Sequence, residues 1–150
     1  MGASKEPPRP IGYWLKRADE VITRHINATQ AGHGISREEW QVLNTVHETG
    51  GVSRARLTEG MRPFVDAHGV DAILARLEGR GWIACRAAEA GAVSIHVLPE
   101  GRRAHEAIHA DQVEVRRRAM DGVSEGDYQT VIRVLQRLVS NLEPPDDGAS

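Results

Sequence analysis

In the middle of the chain, three helical patterns are followed by two strand patterns, and few folds have this order. Ser36-Arg-Glu-Glu forms a capping box that begins a helix, and Ser53 can cap a shorter one. Pro63 ends that shorter helix, and a third helical pattern follows. The apolar runs 82–86 and 93–98 then predict two strands joined by a tight turn. We therefore expect a mainly α fold with a small β-hairpin, arranged as a winged helix-turn-helix.

Long helical patterns flank this winged region, which spans about 36–98. One lies at about 10–30, and two more occupy about 100–142. Their apolar faces exceed what a small winged domain can cover, so a second copy of the chain is the simplest cover. We expect these helices to form the dimer interface of a homodimer. The last helix shows the 3–4 spacing of a helix–helix seam at Tyr128, Val131, Leu135, Leu138 and Leu142.

The termini differ in composition from the rest of the chain. Residues 1–9 and 143–150 are rich in Pro, Gly and charged residues, so we expect flexible ends. Residues 10–142 contain no low-complexity stretch and no internal repeat, and we expect them to form a single domain.

Charge and cysteine content exclude several classes of protein. With 19 Lys+Arg and 21 Asp+Glu, the net charge is −2, so only the distribution of charge could reveal a nucleic-acid surface. No apolar run approaches the roughly 20 residues of a membrane helix, and the N-terminus lacks the apolar region of a signal peptide. The single cysteine, Cys85, excludes a disulfide within the chain and fits a cytoplasmic protein. Because it lies in a predicted strand, we expect it to be inert.

Four short motifs together resemble the MarR family of bacterial transcription regulators. They are Trp40–Leu43, Arg54–Leu57, Leu77–Trp82 and Leu98–Arg102, the last similar to the family's Leu-Thr-x-x-Gly turn. The resemblance covers about residues 11–142. It implies a homodimer that binds double-stranded DNA at a palindromic operator, typically as a repressor that a small ligand releases.

The predicted winged helix places a set of residues toward DNA. Arg76 on the recognition helix is a candidate reader of guanine or a phosphate contact, and Asp71 could accept from a cytosine amino group or simply favour the helix N-terminus. Arginines at the start of the preceding helix, in the turn and at the base of the wing are placed to neutralise phosphates. The full set of candidate DNA contacts is Arg54, Arg56, Arg62, His68, Asp71, Ala72, Arg76 and Arg86.

The resemblance also implies a ligand cleft between the dimer helices and the winged region. Tyr13 and Arg17 are the candidate ligand contacts, and an aromatic ring beside an arginine would suit a small aromatic carboxylate. Trp14 and Trp40 are expected to pack in the core instead.

His105-Glu-Ala-Ile-His109 matches the His-Glu-x-x-His pattern of zinc sites. Both histidines share one helix face, but a third ligand is needed, and Gln41, at the position where some family members have one, is a poor zinc ligand. His33 or His47 could replace it. A zinc-binding sensor is thus one alternative, and two exposed histidines without metal are the other. No catalytic constellation is evident, so we do not expect an enzyme.

A further alternative is a winged-helix dimer without specific operator binding. The recognition face carries Asp71 and Ala72, where family members often have Ser, Thr or Arg. The predicted wing tip, Glu89-Ala-Gly-Ala92, has no arginine. Both features reduce the groups available for direct base contacts.

Overall fold

A computed structural model describes residues 7–143 of the chain. In chain order its elements are α1 (Ile11–Gly32), α2 (Arg37–Thr49), β1 (Val52–Ser53), α3 (Arg54–Met61), α4 (Ala67–Gly79), β2 (Ile83–Ala87), β3 (Val93–Val97), α5 (Pro99–Ala119) and α6 (Glu125–Leu142). The mainly helical, winged architecture is confirmed. The described residues divide between Val115 and Arg116 into two compact units. Of the predicted flexible ends, residues 1–6 and 144–150 lie outside the described residues.

Local capping signals determine where the helices begin and end. The Ser36 capping box is present: the Glu39 N–H donates to Ser36 Oγ over 3.1 Å, and the Ser36 N–H donates to Glu39 Oε2 over 2.9 Å. α2 ends at Gly50, whose φ of 67° lies in the left-handed region that glycine adopts without strain. Ser53 and Asp66 cap α3 and α4 by a single hydrogen bond each, accepted from the Arg56 and Gly69 N–H groups.

The wing contains one more strand than the sequence predicts. β2 and β3 form the predicted hairpin, with Cys85 opposite Ile95. β1 pairs antiparallel with the other edge of β3, placing Val52 opposite Ile95, so the strand order is β1-β3-β2. A strand of two residues has no periodic pattern, which is why the sequence did not predict it. The third strand attaches the wing directly to the start of α3.

The core of the winged region lies between α2, α4 and the sheet. The apolar faces of α2, α3 and α4 pack against the inner face of the sheet, and α5 contributes Ile108. The largest fully buried side chains are Leu43, Leu57, Leu77, Ile83, Ile95, Ile108, Val42, Val46 and Val70. Because α4 is anchored along this buried side, its opposite side faces solvent.

Gly101 allows α5 to begin against the base of the wing. A Cβ at this position would lie 2.0 Å from the Trp82 carbonyl oxygen, so no larger residue fits without backbone movement. The same carbonyl accepts a 2.8 Å hydrogen bond from the Leu98 N–H. Close packing against the Trp82 backbone therefore explains why the Leu98–Arg102 motif has glycine at position 101.

The apolar faces of α1 and α6 are exposed in the single chain. Gln30 is the buried residue of α1, and none of the α6 residues is buried. The expected core packing holds for Trp40, which is 9% exposed, but is wrong for Trp14, which is 59% exposed. Periodicity predicts a helix with an apolar face, but it does not predict what covers that face. No helix in residues 7–143 is long and apolar enough to cross a bilayer.

Candidate nucleic-acid interface

α3 and α4 form a helix-turn-helix held by short-range hydrogen bonds. The Phe64 and Val65 N–H groups both donate to the Met61 carbonyl, over 2.9 and 3.0 Å, and close the turn after α3. The Asp66 carboxylate then accepts from the Gly69 N–H over 2.7 Å and begins α4. Pro63 lies in this turn, as predicted, where its missing N–H has no helical role.

α4 presents one face to solvent and buries the other. Val70, Ile73, Leu74 and Leu77 form its buried side. Two of the predicted DNA contacts, His68 and Ala72, lie on the exposed side together with Ala75. The element following the turn thus has the form of a recognition helix, with a solvent-facing side available to a groove of DNA.

Arg54 and Asp71 form an ion pair across the helix-turn-helix. The Arg54 guanidinium, at the first residue of α3, donates from Nη2 to Asp71 Oδ1 in the second turn of α4. Their side chains remain 46% and 44% exposed. The structure thus brings together two residues that the sequence predicted as separate DNA contacts. Each side chain still has atoms that face solvent.

Arg76, another predicted DNA contact, bonds to α2. Its Nε donates to Glu39 Oε1. Burial alone would raise the pKa of Glu39, but hydrogen bonds from the Ser36 N–H and Arg76, together with the charge of Arg80, hold that pKa below its usual range. Arg80 also donates to the Gly34 carbonyl over 2.8 Å. Arg76 therefore attaches the end of α4 to the first turn of α2, and Arg80 attaches it to the loop before α2.

The remaining predicted contacts surround this helix pair. Arg62 lies in the turn, 3.5 Å from Glu59, and its side chain is largely exposed. Arg56 on α3 and Arg86 on β2 are also exposed. The wing tip turns at Glu89–Gly91, where Ala90 and Gly91 have left-handed φ values of 59° and 74°. It carries no arginine, as the sequence indicated.

A groove of about 460 Å³ separates α4 from the wing. Its lining residues include Arg54, Asp71, Glu78, Cys85 and Arg86. Burial, together with the Glu78 carboxylate, raises the pKa of the Cys85 thiol to about 11. A thiol with that pKa is protonated at neutral pH, which supports the expectation that Cys85 is inert.

A larger cavity, of about 680 Å³, lies between α2 and α3. Trp40, Met61 and Phe64 supply apolar surface, and Arg56 supplies a charge. The Gln41 Oε1 atom is buried and has no hydrogen-bond partner among the described residues. Leaving such a carbonyl unpaired costs about 1–3 kcal/mol.

The predicted ligand contacts, Tyr13 and Arg17, do not line this cavity. Tyr13 is exposed, with its ring edge-on to Trp14 at 5.2 Å between centroids. Arg17 lies 3.9 Å from Glu20 on the same helix. Their role in ligand binding stays a prediction. The cavity between α2 and α3 was not predicted, because its walls come from residues scattered along two helices and a turn.

Three histidine rings and Trp40 form a stack between α2 and α5. The His105 ring centroid lies 3.8 Å from that of His47, 4.9 Å from that of Trp40 and 6.0 Å from that of His109. His105 is buried, and its Nε2 is hydrogen-bonded to Asn44 Oδ1 over 2.8 Å. Burial lowers the pKa of His105, and positive charge on either neighbouring histidine lowers it further. The alternative of two exposed histidines is thus wrong for His105, and it holds for His109.

This stack does not have the geometry of a metal site. Within residues 7–143, no group of three or more His, Cys, Asp or Glu side chains is arranged to hold a metal ion. Parallel rings point their nitrogen lone pairs side by side rather than at one centre. His33, one of the candidate third ligands, is bonded to Asp111 over 2.7 Å. Zinc binding by His105 and His109 stays a prediction, and it would require the stack to open.

Comparison with known proteins identifies the fold. No protein-family model matches the sequence, and no curated protein matches it. Among solved structures, the chain is similar to MepR, a regulator of the Staphylococcus aureus multidrug efflux pump MepA, with a TM-score of 0.77 and 15% identity over 90% of this chain and 100% of MepR. A MepR variant bound to an oligodeoxyribonucleotide gives a TM-score of 0.69 and 14% identity over 91% and 100%.

Apo MarR from E. coli is also similar, with a TM-score of 0.70 and 15% identity over 89% of this chain and 98% of MarR. Identities this low establish the fold alone. The chain therefore has the winged-helix fold of MarR family regulators, and the resemblance in fold implied by its four short motifs is confirmed.

Proposed function

We propose that this chain is a non-enzymatic transcriptional regulator that binds double-stranded DNA as a homodimer. The observation that carries this proposal is the match of its fold to the full length of MepR, together with the DNA-bound structure of a MepR variant. A palindromic operator is the site that a two-fold dimer of winged helices would fit, with recognition helices about 34–36 Å apart. Repression is the simplest consequence of such binding.

The surface around α4 supports DNA as the partner. α4 is anchored by its buried face, and the exposed face is free of bulky side chains at Ala72 and Ala75. Arg56, Arg62 and Arg86 are exposed around it. Their charges would neutralise phosphates and fix the position of α4 in the major groove, although they carry no sequence information themselves.

The exposed apolar faces of α1 and α6 support the homodimer. On α1, Ile11, Trp14 and Ile22 are all more than 40% exposed. On α6, Val131 and Leu138 are exposed at positions of one seam. A large exposed apolar surface on a helix marks an interaction site, and a second copy offers a surface of matching character.

The cavity between α2 and α3 supports control by a small molecule. Its size is within the range of ligand pockets, and Trp40 offers a planar apolar wall. Arg56 would attract a negative group. We propose a small aromatic, anionic effector in this cavity. Tyr13 and Arg17, which do not line it, stay candidate contacts of the ligand cleft that the sequence predicts. The effector would regulate DNA binding only if its affinity differs between the DNA-bound and free states.

Binding to DNA tests the regulator proposal. The purified protein is titrated with the duplex upstream of its own gene, across a salt series and with excess unrelated DNA. We expect binding that survives the competitor and weakens as salt rises. An Ala72→Asp variant should lose binding, because it adds a carboxylate to the middle of the recognition face. A Gln129→Asp variant, which adds a carboxylate on the exposed face of α6 opposite its apolar seam, should retain it.

The second candidate is a winged-helix dimer that does not recognise an operator. The ion pairs of Arg54 with Asp71 and of Arg76 with Glu39 favour it, because they engage two of the arginines expected to contact DNA. The same titration separates the two candidates. Selection of bound fragments from the whole genome would then locate an operator elsewhere, and a failure to enrich any fragment would leave the second candidate.

A further inference from the structure

The exposed face of α4 offers few groups that can hydrogen-bond to a base. Along its middle lie residues without a polar side-chain atom, namely Ala72, Ala75 and Gly79. Arg76, on one edge, is bonded to Glu39 of α2. In the first two turns, which enter the groove most deeply in helix-turn-helix proteins, the remaining polar side chains beyond the cap are those of His68 and Asp71.

Asp71 is held in place by a residue from another helix. Arg54 donates to its Oδ1, and the two residues are 17 positions apart in the chain. The Arg103–Glu100 pair on α5, by contrast, joins residues three positions apart on one helix turn. An ion pair between two helices restricts where the carboxylate can point, whereas a pair within one turn follows from sequence spacing alone.

The Asp71 carboxylate still has acceptor capacity. It is 44% exposed, and Arg54 contacts one of its two oxygens. The groove beside it is open along the wing. Arg54 offsets the charge of the carboxylate, but the second oxygen loses water when DNA covers this face and then needs a donor from the DNA. In the major groove, the donor that matches a carboxylate is the N4 amino group of cytosine.

We propose that Asp71 is a specificity-determining residue that accepts a hydrogen bond from a cytosine amino group in each half-site. Arg54 is the positioning residue that orients the carboxylate. Duplexes without cytosine at that position leave the second Asp71 oxygen without a donor once the groove is closed by DNA, and their affinity falls. This inference rests on the proposed function, since it assumes that α4 enters the major groove.

Selection from a library of randomised duplex DNA tests the inference. The wild-type protein, Asp71→Asn, Asp71→Ala and Glu100→Gln are each selected against the same library. Glu100→Gln is the matched control, because it removes one carboxylate from an exposed arginine pair outside the winged region. Thermal unfolding checks that each variant is folded, and a fixed unrelated duplex measures non-specific affinity.

We expect the wild type and Glu100→Gln to enrich cytosine at one position of each half-site. Asp71→Ala should lose that preference, and Asp71→Asn should shift it toward adenine, which an amide can contact through N6 and N7. The ratio of affinities for the selected site and the unrelated duplex should fall about five- to a hundredfold in Asp71→Ala.

Two other outcomes overturn the inference in different ways. If all four proteins enrich the same bases, Asp71 does not determine specificity, and the regulator proposal stands. If the wild type enriches no sequence at all, the regulator proposal fails, and the inference fails with it.

Discussion

The winged region and α6 are both rich in apolar residues, yet they bury them very differently. In the winged region, Leu43, Leu77 and Ile95 are almost completely shielded from solvent by other residues of the chain. Along α6, none of the residues is buried, and Leu142 is 87% exposed. The chain therefore completes one hydrophobic core by itself and leaves another apolar face to be covered by a second surface.

The largest expected effect lies in the completed core. Leu77→Ala should lower the free energy of unfolding by about 2–5 kcal/mol, because it leaves a cavity among side chains that are already close-packed. The loss should be similar at low and high protein concentration, since this core lies within one chain. Chemical denaturation at two concentrations measures it. A loss well below 1 kcal/mol would contradict the close packing of α4.

Leu138→Asp tests the uncovered face. A charge at the centre of the α6 seam should weaken association of two copies by about 2 kcal/mol, as expected for a central interface residue. Sedimentation should show a shift from dimer toward monomer. Gln129→Asp, on the opposite face of α6, should leave the mass unchanged. If both variants remain dimers at the dilution where the wild type begins to dissociate, α6 is not the interface.

The histidine stack predicts a moderate pH dependence of stability. The pKa of His105 lies below its ordinary value of 6.5 in the folded chain, so the unfolded chain takes up the proton first. The contribution of His105 to the free energy of unfolding is therefore fully present above pH 6.5. It is lost as the pH falls below that value, by at most about 1.4 kcal/mol per pH unit.

Denaturation curves across this pH range measure the effect. His105→Gln should flatten the dependence, and His25→Gln, at an exposed position of α1, should not change it. Equal slopes in the wild type and both variants would mean that His105 titrates like a solvent-exposed ring.

The last prediction concerns the reactivity of Cys85, beside the groove between α4 and the wing. Because burial and Glu78 raise its pKa from 9.0 to about 11, its thiolate fraction at neutral pH should be about 100-fold below that of the unfolded chain. Alkylation of the native protein should be slower by a similar factor than alkylation in urea. Equal rates would show that the thiol is not shielded by the winged core.

The sequence predicted most of the local structure, because its signals are local. Ser36, Ser53 and Gly50 act through hydrogen bonds and backbone angles a few residues away, and the helices begin and end where these residues indicate. β1 was missed because Val52 and Ser53 pair with a strand more than 40 residues away. Its pairing depends on tertiary structure and leaves no pattern in two residues.

The candidate site was predictable in position but not in its contacts. The helix-turn-helix pattern indicated which arginines surround α4. It did not indicate that Arg54 pairs with Asp71, or that Arg76 pairs with Glu39 some 37 residues earlier. Likewise, the His-Glu-x-x-His pattern placed two histidines on one helix face, but the stack with His47 and Trp40 requires α2 to pack against α5.

The mass of the protein–DNA complex tests the central claim most directly, because it depends on both regions at once. The winged region has to bind the operator, and the exposed helix faces have to join two copies. Sedimentation of the protein with a single-operator duplex, in the presence of unrelated DNA, should show two chains per duplex and no complex at high salt. A complex with one chain per duplex, or no complex that survives the unrelated DNA, would contradict the account.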